Sequence, residues 1–394
     1  MNRAWSDFLA RLNAALDEAE GQNRRRTLRP LKRLPGGRVE RPDGRVLIDV
    51  SSNDYLGLAL HPKVRLRAAE FAERHGGSTP ASRLVSGTLP EHLKVEQRLA
   101  AFKLTEAALL FASGWQANSS VLPALIDLMA GPVKVFADRL NHASLHAGLA
   151  QAGQRQIRFR HNDLDHLERQ LQAAENQGRT RLIVTESVFS MDGDRADLDG
   201  LLTLANRYDA LLYIDEAHAT GVLGPGGAGL AAGLPKGAPA IVMGTLGKAL
   251  GGFGAYVAGP RTLIDALVQR CGGFIYSTAP PPAVLGALDA ALDLVPDMDS
   301  ERERLLEAAA RVRQAAEGRD FATFGSTTQI VPVGLGEEAR ALEAMKTLED
   351  AGLLAVAIRP PTVPEGASRL RISLSAAHDG ETIDRLIEAI GAIR

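Results

Sequence analysis

The chain has 394 residues, of which 45% are hydrophobic and 23% charged, a globular balance that excludes long disorder and leaves room for one large domain with a smaller companion. Its 45 Lys and Arg nearly cancel 47 Asp and Glu, a net charge of −2, so no global basic field calls for nucleic acid or another polyanion as partner. The single cysteine, Cys271, excludes intrachain disulfides and Cys-rich zinc sites and points to a reducing compartment, the cytoplasm.

Residues 5–20 read as a helix, with Trp5, Phe8, Leu9, Leu12 and Leu16 at helical spacing. This stretch carries acids throughout and lacks the apolar core of a secretory signal. No run approaches the roughly 18 apolar residues a membrane-spanning helix needs, so no membrane role is expected. The basic cluster "RRRTLRPLKR", Arg24 to Arg33, reads either as a solvated connector or as an electrostatic landing strip for an acidic substrate or a CoA phosphate. A polar stretch leading into "VLIDVSSNDYLGL" separates this first region, 1–50, from the main body.

From about residue 90, helical patterns alternate with short apolar runs: "KVFAD" at 134–138, "RLIVTE" at 181–186, "ALLYID" at 210–215, "AIVMGT" at 240–245 and "AYVAG" at 255–259. Such alternation predicts a mostly parallel sheet with helices on both faces, a three-layer α/β domain over 51–285. After "YSTAPPPA" the pattern changes to long charged helices and isolated strands ending in "RLRISLS". That shift predicts a smaller α+β domain over 286–394.

Open α/β sheets bind ligands beyond the carboxyl ends of their strands, and the reactive residues of this chain fall there. Asn141, His142 and Ser144 follow the first run; Glu186 ends the second, with Ser187 and Ser190 after it; Asp215 ends the third, with His218 after it; Lys248 follows the fourth inside "GTLGKALGG". The "DEAH" at 215–218 raises the possibility of a helicase box. A nucleotide-hydrolysing core, however, needs G-x-x-x-x-G-K-[ST], and here Val242 stands at the first glycine and Ala249 at the hydroxyl. The nine histidines show no paired helical spacing with carboxylates of the zinc-protease kind, so no metal is expected.

A lysine in a Gly-rich, water-poor turn loses its proton readily and forms an imine, and an aspartate at the base of the same cleft pairs with a protonated pyridine nitrogen. Together these are what a protein contributes to pyridoxal phosphate chemistry. Each residue alone is more often surface or satisfied core; their joint placement carries the reading.

The motifs "SSNDYLGL", "FASGWQAN", "DRLNHASLHAG", "ESVFSMDGD", "IDEAHATGVLG", "GTLGKALGGFG", "YSTAPPP" and "IRPPTVPEGASRLRISLSAAH" resemble, in order and over nearly the whole chain, the α-oxoamine synthases. These fold-type-I pyridoxal 5'-phosphate (PLP) enzymes condense an amino acid with an acyl thioester and release carbon dioxide. "YSTAPPP" and "AIRPPTVP" are most similar to the branch that joins L-alanine to a pimeloyl thioester in biotin biosynthesis, with pimeloyl-CoA or a pimeloyl-acyl carrier protein as donor.

The resemblance implies that Lys248 is the imine-forming lysine, Asp215 the partner of the pyridine nitrogen, His218 a contact to the phenolic oxygen and His142 the ring-stacking histidine. For the phosphate it implies Ser113, Gly114 and Trp115 at the opening of a helix, an anion site in its own right, together with Thr245. It further implies that Thr278 reaches the phosphate of a neighbouring subunit, which requires a homodimer with shared active sites. Arg371 matches the arginine that holds the amino acid carboxylate in a bidentate pair. Asn53 and Ser190 resemble polar contacts near substrate and cofactor, Arg359 looks placed for an acyl or carboxylate contact, and Arg24 for the distal carboxylate of a pimeloyl chain. Two features depart from the family pattern: Trp115 is bulkier than the Phe or Tyr expected there, and "GGSTPASRLVSG" carries Thr79 and the stiff Pro80 where several relatives are glycine-rich. Sister reactions using glycine or serine with other acyl-CoA donors, a PLP aminotransferase, and a non-catalytic protein of the same fold remain alternatives.

Overall fold

The computed structural model describes residues 2–129, 131–174 and 180–394. The chain divides into two compact units, one made of residues 1–52, 307–374 and 378–394 and the other of 53–306 with 375–377. Composition shifts place boundaries near 50 and 285, whereas the compact units divide at 52/53 and 306/307. The helix Pro282–Leu294 stays with the larger unit because it packs on the helix Pro62–His75. There Gly286 lies so close that a Cβ would come 2.3 Å from the Arg67 carbonyl oxygen.

The first unit opens with the helix Arg3–Gly21, capped by the Asn2 side chain, which accepts from Ala4 N at 2.9 Å. None of its residues is buried; Trp5, Phe8, Leu9, Leu12 and Leu16 are 38% to 55% exposed, so its apolar stripe takes no part in a core within this chain. Strands β1 (Lys32–Leu34), β2 (Arg38–Glu40) and β3 (Val46–Asp49) follow as an antiparallel meander.

The larger unit contains β4 (Ala107–Phe111), β5 (Val133–Asp138), β6 (Gln156–Phe159), β7 (Thr180–Glu186), β8 (Ala210–Asp215), β9 (Ala240–Thr245) and β10 (Ala255–Gly259). They form one sheet in the order β4-β10-β9-β8-β7-β5-β6. β6, β5, β7, β8 and β9 run parallel, and β10 is antiparallel to both β9 and β4. All five strands read from the sequence are present. Alternate residues point to opposite faces, as the pleat requires. Val135, Leu182, Val184, Tyr213 and Met243 meet Val121, Leu122, Leu145 and Leu149 on one face. Phe136, Ile183, Leu212, Ile214 and Val242 meet Leu167, Leu171 and Leu201 on the other. Two separate apolar cores on one sheet make the three layers, and burial on both faces explains why these strands read as nearly unbroken apolar runs.

Returning to the first unit, β11 (Ile330–Gly336), β13 (Ala357–Ile358) and β14 (Ser368–Ser373) form an antiparallel sheet in the order β11-β14-β13. β12 (Leu353–Leu354) adds to β3 in parallel. Among the described residues, no helix is long and apolar enough to cross a membrane.

Candidate active site

β9 ends at Thr245 and the chain enters the glycine-rich turn that carries Lys248. The turn is closed by Gly251 N donating to the Lys248 carbonyl at 2.9 Å. Gly251 has φ +62°, and a Cβ there would lie 2.4 Å from Ala59 N, so only glycine lets the turn fold against the chain at 58–59. Lys248 Nζ lies 2.9 Å from His218 Nε2. The other ring nitrogen, Nδ1, is 2.6 Å from the hydroxyl of the fully buried Tyr55, and that hydroxyl also reaches Asn53 Oδ1 at 3.0 Å. His218 is thus gripped from both sides, which fixes its ring relative to the lysine.

Asp215 ends β8 and is 3% exposed. One carboxylate oxygen accepts from Ala217 N at 2.9 Å and the other from Asn118 Nδ2 at 2.8 Å. Asn118 in turn accepts from Tyr213 Oη at 2.9 Å and donates to Ser144 Oγ at 2.9 Å. Glu186 sits beside Asp215 in register on β7, and burial, reinforced by the Asp215 charge, pushes its carboxyl well above the usual range. Glu186 Oε1 accepts from His142 N at 2.6 Å.

His142 is the N-cap of the helix Ala143–Gln151, its Nδ1 2.7 Å from Ser144 Oγ. Burial holds its imidazole below the ordinary value, against the pull of Asp215 and with the push of Lys248. It is therefore neutral near pH 7, a flat ring suited to stacking. The Trp115 indole meets it edge-on, centroids 6.4 Å apart at 78°.

Ser113 caps the helix Gly114–Leu128, accepting from Gln116 N at 3.1 Å. The first amides of a helix lack intrahelical acceptors and form an anion site. Gly114 opens this helix against β9: a Cβ would come 2.6 Å from Thr245 Cγ2, and Thr245 Oγ1 donates to the Ala217 carbonyl at 3.3 Å. Trp115 is 54% exposed. Ser190 lies in the loop bracketed by the Val188–Arg195 bridge, and Thr278 pairs with Ser82 in another isolated bridge. The structure thus joins Lys248, His218 and Asn53 in one hydrogen-bonded chain through Tyr55, sets His142 and Asp215 beside Glu186 and Asn118 with Trp115 edge-on to His142, and packs Gly114 against Thr245.

The three arginines belong to the first unit, each with its own surroundings. Arg371 is buried on β14 and donates to Ser373 Oγ at 2.6 Å. Arg359 donates to the Asn23 carbonyl, and burial, with Arg26 and Arg29 nearby, lowers its affinity for a proton. Arg24 is held in ion pairs with Glu338 at 2.8 Å and Glu365 at 3.0 Å.

Sequence reasoning passed over Tyr55 and Asn118 as site residues, and it placed Glu186 at a strand end without giving it a role. Each stands inside a motif quoted above, but its role depends on a partner 163, 97 or 44 residues away. No local spacing could have paired them. The Glu216 of "DEAH" takes no part in this cluster: it is fully buried and bonded to Lys103 Nζ at 2.6 Å.

The donor set suits a pyridoxal phosphate: an amine, a buried carboxylate, a flat imidazole held below its ordinary proton affinity, and a helix N-terminus whose Gly114 leaves no room for a Cβ beside Thr245. A family model described as aminotransferase class I and II matches residues 45–390. An 8-amino-7-oxononanoate synthase of Gluconacetobacter diazotrophicus is 57% identical over 380 residues, 95% of each chain, and one of Geobacter sulfurreducens 48% identical over 382 residues, 96% of each. Among solved structures, a serine palmitoyltransferase from S. paucimobilis with PLP and myriocin bound is 28% identical, covering 97% of this chain and 96% of its own, with a TM-score of 0.89. An 8-amino-7-oxononanoate synthase from Francisella tularensis is 26% identical, covering 87% and 96%, with a TM-score of 0.75.

Proposed function

This chain belongs to the class I and II aminotransferase family, in its α-oxoamine synthase branch, and from that premise we propose that it is an 8-amino-7-oxononanoate synthase of biotin biosynthesis. It is a PLP-dependent acyltransferase. The reaction joins L-alanine to a pimeloyl thioester, of CoA or a carrier protein, and releases carbon dioxide and the free thiol. The observation that carries the reading is the linked set Lys248, His218, Asp215 and His142 in a chain that follows relatives of that name over 95% of its length. The S. paucimobilis serine palmitoyltransferase superposes with the higher TM-score but is 28% identical, against 57% for the oxononanoate synthase of Gluconacetobacter diazotrophicus. Backbone likeness is common to the whole branch, whereas side chains choose the substrate, so the sequence match decides.

When bound, PLP supplies the electron sink that makes the α-carbon of the amino acid acidic. Lys248 anchors it and is the general base: Nζ takes the α-proton and later returns one to the product. His218, held by Tyr55, orients that amine. Asp215, held by Ala217 N and Asn118 Nδ2, would pair with the pyridine nitrogen. His142 stacks on the ring, and the amides of Gly114 and Trp115 with Ser113 and Thr245 take the phosphate. Ser190 is a further polar contact, and Asn53 contacts substrate beside Tyr55. On the family resemblance, Arg371 takes the alanine carboxylate, and Arg359 and Arg24 the acyl donor, Arg24 only by exchanging Glu338 or Glu365 for it. The same resemblance gives Thr278 to the phosphate of a second subunit, hence a homodimer with shared sites. We place the enzyme in the cytoplasm, where the lone buried thiol of Cys271 stays reduced.

The test is thiol release by the PLP-loaded protein, with L-alanine, glycine and L-serine each crossed against pimeloyl-, acetyl-, succinyl- and palmitoyl-CoA. Release confined to alanine with pimeloyl-CoA is the expected result. Release with serine and palmitoyl-CoA instead would overturn the assignment and leave the catalytic residues in place.

A further inference from the structure

Two residues beyond the edge strand β6 stands His161, a side chain that the chemistry above does not use. Its Nδ1 lies 3.1 and 3.2 Å from the two carboxylate oxygens of Asp138, and its Nε2 lies 2.9 Å from Asp194 Oδ2. Ionised carboxylates only accept, so both ring nitrogens carry hydrogen and the ring is an imidazolium. Burial alone would lower its proton affinity, but the bonds and charges of Asp138 and Asp194 outweigh it and push the pKa up to about 10. The Phe189 ring meets it edge-on, centroids 4.4 Å apart at 87°.

Each of the two carboxylates organises a different loop. Asp138 is fully buried at the end of β5; its Oδ1 accepts from Leu140 N at 2.8 Å and its carbonyl from Asn141 N at 3.2 Å. That turn leads directly into His142. Asp194 closes the loop after β7: its carbonyl accepts from Phe189 N at 3.1 Å and its carboxylate from Asn162 Nδ2 at 2.5 Å. Ser190 sits inside that loop.

We propose that His161 is a positioning residue: by bonding Asp138 through one ring nitrogen and Asp194 through the other, it locks the turn that delivers His142 to the loop that carries Ser190. The role rests on the reading that His142 and Ser190 face the cofactor. His161, Asp192 and Asp194 are also close enough together to hold a metal ion. An imidazolium with both nitrogens donating has no lone pair to offer one, so the lock is the better account.

The test compares wild type with His161→Gln and Asp194→Asn, which break the link from opposite sides. Amide hydrogen exchange of 139–146 and 188–196, in apoprotein and PLP-loaded protein, is expected to speed up about tenfold or more in both segments together. PLP affinity, read by cofactor fluorescence, falls in step, and the double variant is no worse than either single one because both remove the same link. Faster exchange in 188–196 alone, or unchanged PLP affinity, would overturn the lock and leave His161 a local prop. So would stoichiometric binding of Zn²⁺ or Mn²⁺ to wild type that His161→Gln abolishes. If His161→Gln does not fold, Asp194→Asn carries the comparison. Exchange and PLP binding are read without acyl donor, so a wrong substrate assignment shows only in thiol release.

Discussion

Replacing Lys103 by Met isolates the role of the glutamate in "DEAH". Lys103 follows the helix Pro90–Phe102, and its side chain is 1% exposed against 0% for Glu216. Nζ reaches Glu216 Oε2 at 2.6 Å, bonds the Ala228 carbonyl, and lies 5.5 Å from the centre of the Tyr256 ring. Burial alone would drive the lysine toward neutrality, but Glu216 and Tyr256 outweigh it and its pKa stands raised. Glu216 Oε1 also accepts from Ala231 N at 2.8 Å, so the pair ties the region after β8 to the segment at 228–231. Removing one partner leaves a buried carboxylate uncompensated, at a cost of about 3–5 kcal/mol, a large share of the roughly 5–15 kcal/mol that holds a folded protein together. The double variant Lys103→Met, Glu216→Gln removes both charges and keeps an acceptor for Ala231 N. It should recover most of the loss, since a neutral pair avoids desolvating two ions. Urea unfolding of the apoproteins measures the difference through the midpoint at constant slope, with turnover per folded molecule read alongside. A loss in Lys103→Met below about 1 kcal/mol, or a double variant as unstable as the two singles summed, would refute the argument. A folded Glu216→Gln protein without turnover would instead return Glu216 to the catalytic set.

Lys248→Ala should lower turnover by at least the factor of about 10²–10⁴ attached to a general base, with the fold intact by circular dichroism; thiol release within tenfold of wild type would remove the lysine from its role. Gly114→Ala puts a methyl 2.6 Å from Thr245 Cγ2 and should cost about 1–3 kcal/mol by overpacking and weaken PLP binding. Adding Thr245→Ser deletes the opposing methyl and should restore both, as followed by PLP titration and urea midpoint. Burial holds His92 and His378 at about 4, below the ordinary value near 6.5. The unfolded chain therefore binds more protons between these values, and stability falls as pH drops from about 6.5 toward 4 and levels off beneath. Thermal unfolding across that range should show the slope, and His92→Gln should reduce it.

Sequence alone located the candidate residues, because the lysine, the aspartate and the two histidines fall at or just after the ends of apolar runs whose burial on both faces makes them strands. Strand ends are local features, and five of the seven strands of the central sheet were legible that way. β4 and β6 were not: "AALLF" is a five-residue apolar run that cannot be told from the end of a helix, and "QIRF" is a half-exposed edge strand with little pattern. Nor does an apolar run announce that β10 lies antiparallel. Tertiary structure alone decided what each polar group bonds to. Tyr55 on His218, Asn118 on Asp215, His161 between Asp138 and Asp194, and Glu216 on Lys103 all join residues 23 to 163 positions apart. Arg24, read from the sequence as a binder of a substrate carboxylate, is held by two carboxylates of the chain itself. Charge and nucleophilicity belong to a residue wherever it stands, but the partner that sets its protonation and direction comes from the closure of distant segments. That closure is decided by how the whole chain buries its apolar surface.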